Sequence, residues 1–159
     1  RHWPVPDMVL APPAAAGLAL AAIAGAAAAQ EAAPAEPIDR AAFEACLGAA
    51  AEGASGSECL VPVRHACNSL LDGGTMRQDI VCLEAASDDV IGWSDEIVAS
   101  GVTDLTPAQV AGYRRSLRGF CLGQITRGDT VDEVAFGLCE LAGHAALHRD
   151  ILRRRALAE

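Results

Sequence analysis

Cys67-Asn68-Ser69-Leu70-Leu71-Asp72-Gly73-Gly74-Thr75-Met76-Arg77-Gln78-Asp79-Ile80-Val81-Cys82 is the stretch that decides the fold. It has a cysteine at each end, a Gly-Gly break near its centre, and a Thr-x-x-Gln capping pattern directly after the break. In an antiparallel helical hairpin, residues equidistant from the turn lie side by side, so these two cysteines face each other across a turn. The pattern recurs on either side. Cys46 and Cys59 straddle Gly53, and Cys121 and Cys139 straddle Gly128-Asp129-Thr130. Six cysteines allow many pairings. Cys59 with Cys67 is excluded, because their spacing along one short helix amounts to about 12 Å of rise, too far for a disulfide. The turn-symmetric set Cys46–Cys59, Cys67–Cys82 and Cys121–Cys139 asks each bond to cross only one hairpin. Each such bridge closes a loop of roughly 15 residues, worth about 3 kcal/mol in the chain-entropy account.

Helical punctuation surrounds these cysteines. Asp39 caps a helix expected to run to about Glu52, with Gly53 just past its end. Pro62 suits the first turn of a short helix ending near Leu71. Thr75-Met76-Arg77-Gln78, Thr106-Pro107-Ala108-Gln109 and Thr130-Val131-Asp132-Glu133 are capping-box patterns, each heading an apolar-periodic run. From Met76 to about Ala99, Ile80, Leu83, Val90 and Ile97 fall at heptad-like spacing, and Val134, Leu138, Leu141, Ala145 and Leu152 do so in the last helix. Val110, Leu117, Phe120 and Ile125 mark a third amphipathic segment, whose Gly112, Gly119 and Gly123 would permit close helix approach. No stretch shows sustained β alternation with hairpin turn chemistry. The expected fold is all-α, a small disulfide-stapled bundle of four to five helices in antiparallel hairpins.

Met8 to Ala29 is an apolar run ending in four alanines, so residues 1–29 read as a signal peptide, with a disordered Ala/Pro tail as the alternative. Its apolar core is too short and too alanine-rich to span a bilayer. Residues 30–37, with two prolines, read as a linker, and 38–157 as a single helical domain. The expected location is periplasmic or secreted, without membrane insertion after leader removal. Beyond the leader, 20 acidic side chains face 11 arginines and no lysine, in a chain of formal net charge −9. That balance disfavours nucleic acid and anionic membrane surfaces and favours a basic protein partner.

Paired cysteines are unavailable as nucleophiles or metal ligands. C-x-x-C and C-x-x-C-H are absent, which weakens redox, zinc-ribbon and haem readings. His144 and His148 lie four apart on a helix, but Ala145-Ala146-Leu147 separates them without the glutamate of H-E-x-x-H, so they read as a surface or boundary pair. His65 reads as exposed or capping. Asp132-Glu133 fits the first turn of a helix. Asp88, Asp89, Asp95 and Glu96 form a negative edge beside Trp93, either a partner-binding face or a solvated one. Trp93, eleven residues after Cys82, is expected to cover the second disulfide. No catalytic residue, metal site or cofactor is expected.

On these residues the chain resembles the secreted LprI-like lysozyme-inhibitor domains, from Phe43 to about Leu152. Cys67 and Cys82 around Gly73-Gly74-Thr75 resemble that family's first cysteine pair. Tyr113-Arg114 ahead of Cys121, then Gly128-Asp129-Thr130, Cys139 and Arg149, resemble its second half. Ile97-Val98 stands where the family has Leu-Asn followed by tyrosine, Tyr113 where tryptophan is common, and Leu117 where arginine is expected. The resemblance implies a periplasmic binding protein that inhibits lysozyme by sterically occluding a basic muramidase, not an enzyme. The alternative is a cell-envelope structural or assembly module with another protein partner.

Overall fold

Four polar side chains set the frame by starting its helices. The computed structural model describes residues 38–50, 56–127 and 130–159, so the expected leader and linker, Glu52, Gly53 and Gly128-Asp129 lie outside the described residues. Asp39 accepts from Ala42 N–H and begins α1, Arg40–Ala49. A 3₁₀ turn over Ser57–Leu60 leads into α2, Val61–Ala66. A second 3₁₀ turn spans Ser69–Asp72. Thr75 and Thr106 each make a complete capping box, opening α3, Met76–Ala99, and α4, Pro107–Ile125. A two-residue antiparallel ladder comes next, pairing β1, Thr126–Arg127, with β2, Thr130–Val131. The chain ends in α5, Glu133–Ala158. The fold is all-α apart from that ladder.

All three cysteine pairs are bonded as the turn symmetry requires. Cys46–Cys59, Cys67–Cys82 and Cys121–Cys139 have Cα separations of 5.7, 5.3 and 5.8 Å. The first ties α1 to the 3₁₀ turn before α2, the second ties the end of α2 to α3, and the third ties α4 to α5.

Several expectations are corrected. Helix α1 stops at Ala49, where Ala50 turns extended, rather than reaching Glu52. The helix from Pro62 does not reach Leu71. It ends at Ala66 because the buried carboxylate of Asp79 accepts from both Ser69 N–H and Ser69 Oγ–H at 2.6 Å, drawing the chain out of the helical path. Thr130 is not a helix cap. Its backbone joins the ladder, and Asp132 takes the capping role, accepting from Ala135 N–H at 3.0 Å. Phe120 lies outside the core at 61% exposed. The inward face of α4 runs Val110, Arg114, Leu117 and Cys121, spaced for one helical stripe, and Cys121 is 0% exposed. The close approach comes at glycines of α5, not at Gly112, Gly119 or Gly123, which have open space around them. A Cβ on Gly143 would lie 2.9 Å from Leu117 Cγ, and one on Gly137 would lie 3.3 Å from Leu83.

The three long helices pair unequally. Leu83 meets Gly137, and Ser94 meets His148, 54 residues on in both cases, so α3 and α5 run parallel at constant register. They make the most extensive helix contact. Helix α4 returns antiparallel along α5, through Arg118 to Glu140 and Tyr113 to the Gly143 carbonyl. Its contact with α3 is slight. One core contains Phe43, Leu47, Leu60, Val63, Leu83, Val90 and Leu141, and a second, at the other end, contains Ile97, Val98, Val110, Leu147 and Ile151.

Candidate functional site

Helix geometry divides the acidic edge of α3 between two faces. Residues seven apart share a face, so Asp88 and Asp95 look toward α4, while Asp89, Trp93 and Glu96 lie on the side of α1. Arg114 Nη1 and Nη2 donate to Asp95 at 3.0 and 2.9 Å, and Nη2 also donates to the Ile91 carbonyl at 3.3 Å. Arg40 donates to Glu96 at 2.6 Å and to Glu44 at 2.9 Å. Asp95 and Glu96 therefore already have cationic partners. Trp93 is half-buried, with the Arg40 guanidinium 5.6 Å from its ring centre and Phe43 and His148 each at 6.1 Å. It does not cover the second disulfide. Eleven residues bring it back to the azimuth of Cys82, but about 16 Å farther along the axis.

His148 is fully buried, which overturns the boundary reading for that residue, while His144 is buried at the edge of a cavity. His148 is 0% exposed. Its Nδ1 lies 3.0 Å from Ser94 Oγ and its Nε2 lies 3.2 Å from Glu44. Burial pushes its pKa down, against the opposing pull of Glu44. In the neutral ring, Nε2–H donates to Glu44 and Nδ1 is an acceptor, so the single Ser94 hydroxyl proton is shared between Nδ1 and the Val90 carbonyl. This serine–histidine–glutamate line resembles a hydrolytic relay only in composition. Ser94 is 1% exposed, so its hydroxyl meets no substrate, and that hydroxyl also lies 2.8 Å from the Val90 carbonyl. One signal for His148 was present in the sequence: the stripe Leu141, Ala145, Leu152 has its missing member at position 148.

The accessible feature is a groove between α3 and α4 with α5 as its floor. It consists of two cavities of about 460 Å³ each, which share Glu84, Arg118, Gly137 and Glu140. Arg118 donates to Glu140 at 3.3 Å and lies 5.3 Å from the Phe136 ring centre, dividing the two ends. The lower end is lined by Ile80, Val81, Leu122, Val131 and Phe136 together with the charged side chains Arg77, Glu84 and Glu133. Val81, Leu122 and Val131 are exposed there.

The upper end sets charged and polar side chains over an apolar base. Ser87, Asp88, Arg114, Arg115 and His144 line it over Leu83 and Ile91. His144 is 7% exposed, and its Nδ1 is buried without a hydrogen-bond partner, as is Arg114 Nε. Burial, reinforced by Arg114 and opposed by Asp88, lowers the His144 pKa to about 4. The ring is therefore neutral at ordinary pH. Among the described residues, no three His, Cys, Asp or Glu side chains converge as a metal site, and no helix is long and apolar enough to cross a membrane. His65 is exposed. No family model, characterised protein or solved structure matches the chain.

Proposed function

We propose that this chain is an extracytoplasmic binding protein, in a periplasm or outside the cell, that occludes a basic muramidase sterically. The observation that carries the reading is the lower groove: Val81, Leu122 and Val131 are exposed there, with Arg77, Glu84 and Glu133 among them. Apolar side chains bordered by polar ones are the usual anatomy of a docking patch. The net charge of −9 favours a partner of opposite sign and speeds its encounter. The cysteine scaffold's resemblance to LprI-like domains selects muramidases among basic partners. Disulfides across three turns hold the patch in place before binding, which reduces the ordering cost of association. No bond is made or broken by the protein in this role.

A muramidase turbidity assay over a concentration series of oxidised protein tests it. We expect dose-dependent inhibition that weakens from low to moderate salt, and that Val131→Arg abolishes. Absence of inhibition across chicken, phage and human lysozymes would sink the muramidase reading, and the same scaffold would then serve an envelope structural or assembly partner.

A further inference from the structure

We infer that the upper end of the groove binds a small zwitterion, a free amino acid or a dipeptide, by its ammonium and carboxylate groups. This site adjoins the docking strip and shares Glu84 and Arg118 with it, but its test contains no protein partner.

The walls of this cavity are segregated by charge. Helix α3 supplies Glu84 and Asp88, and α4 supplies Arg114, Arg115 and Arg118. Two of the arginines are engaged, Arg114 with Asp95 and Arg118 with Glu140. Arg115, Glu84 and Asp88 have no ion-pair partner among the described residues. One free cation thus stands across the cavity from two free carboxylates. His144 on the floor lies within the fields of both walls, being influenced by Arg114 and Asp88 alike. It is more than nine-tenths buried and lines the cavity, yet its Nδ1 has no hydrogen-bond partner among the described residues.

The chemistry of the occupant is set by these donors and acceptors. With Nδ1 sealed and unpartnered, the neutral imidazole carries its proton on Nε2, since a stranded N–H is the costlier state. Nε2–H and the Arg115 guanidinium, from two residues lining the same cavity, are then the donors offered to a carboxylate, whose charge favours both. The ammonium lies toward Asp88 and Glu84. A simple anion would use one wall and leave the carboxylates opposite, and a simple cation would do the reverse. A volume of about 460 Å³ lies within the range of small-molecule sites and limits the occupant to a compact ligand.

Calorimetric titration of the oxidised protein with each proteinogenic amino acid, with Gly-Gly and Ala-Ala, and with acetate and methylammonium tests the inference. Histidine ring signals are followed by NMR in parallel. We expect saturable binding in the amino-acid or dipeptide arm, whichever fits, with movement of the His144 ring signals. Arg115→Ala and Asp88→Asn should each weaken it by about tenfold or more, while the exposed control Arg153→Ala leaves it unchanged. Both test variants alter exposed side chains, and matching thermal melts verify their folds. Three results would overturn the site. These are no saturable binding in any zwitterion arm, acetate or methylammonium binding as well as the best zwitterion, or binding indifferent to both substitutions.

Discussion

His148 and His144 sit on adjacent turns of α5, and both are held neutral by burial. Their ordinary pKa is 6.5, and His144 is lowered to about 4. A histidine whose folded pKa is depressed binds fewer protons folded than unfolded between those two values. Stability is therefore full above about pH 6.5 and is lost as pH falls toward about 4. His148 acts in the same direction. Solvent from the groove moderates the effect, so His144 contributes on the order of 2 kcal/mol over this window. Urea midpoints should fall as pH is lowered across it, and His144→Asn should flatten the slope. A midpoint constant across the window would contradict the burial of both rings. At lower pH Glu44 adds to the loss. Burial alone would raise its carboxyl, but hydrogen bonds from Arg40 and His148 outweigh that and hold it below the ordinary value.

Gly143 is the second residue whose environment decides something. Leu117 fills the space above it, so Gly143→Ala forces that side chain aside and should cost about 1–3 kcal/mol. The cost should shrink when Leu117 is Ala. Urea unfolding of the two single variants and the double variant measures that coupling, and an equal cost in both backgrounds would rule out this contact. Sequence alone could not assign the role. A glycine's use depends on what arrives opposite it, and Gly112, Gly119 and Gly123 offered the same freedom with nothing to receive.

At the scale of elements, what was legible was local. Thr75 and Thr106 cap as their sequences suggest because cap, partner and backbone donors all lie within one turn. Thr130 had the same pattern, but its backbone is taken by β1, and Asp132 was already in place two residues on. Asp132→Ala should cost about 1 kcal/mol, as a lost N-cap does. Chemical denaturation of the variant checks the assignment, and an unchanged midpoint would contradict it. The break after α2 was not legible because its cause is not local. Ser69 is bound by Asp79, a residue of the next helix, and nothing in the run Pro62 to Leu71 announces it.

For the whole molecule, the cysteines announced the hairpins, but not which helices would pack most closely. The dominant contact joins α3 to α5 in parallel, with α4 leaning on α5 and leaving its α3 side open. That choice creates the groove. Its lining comes from three helices and the ladder, so no single stretch of sequence shows it. The acidic edge of α3 shows the limit most clearly. Asp88 reaches the groove, while Asp95 and Glu96 are neutralised by arginines from α4 and α1.

Both the proposed docking strip and the proposed zwitterion cavity rest on this frame, and the frame rests on three bonds. Peptide mapping of a non-reducing tryptic digest tests it most directly, because cleavage after arginine separates the cysteines informatively. Peptide 41–64 should carry its own internal disulfide, peptide 65–77 should be joined to 78–114, and 119–127 to 128–149. Peptide 41–64 joined to any other, or free thiols in the purified protein, would contradict it.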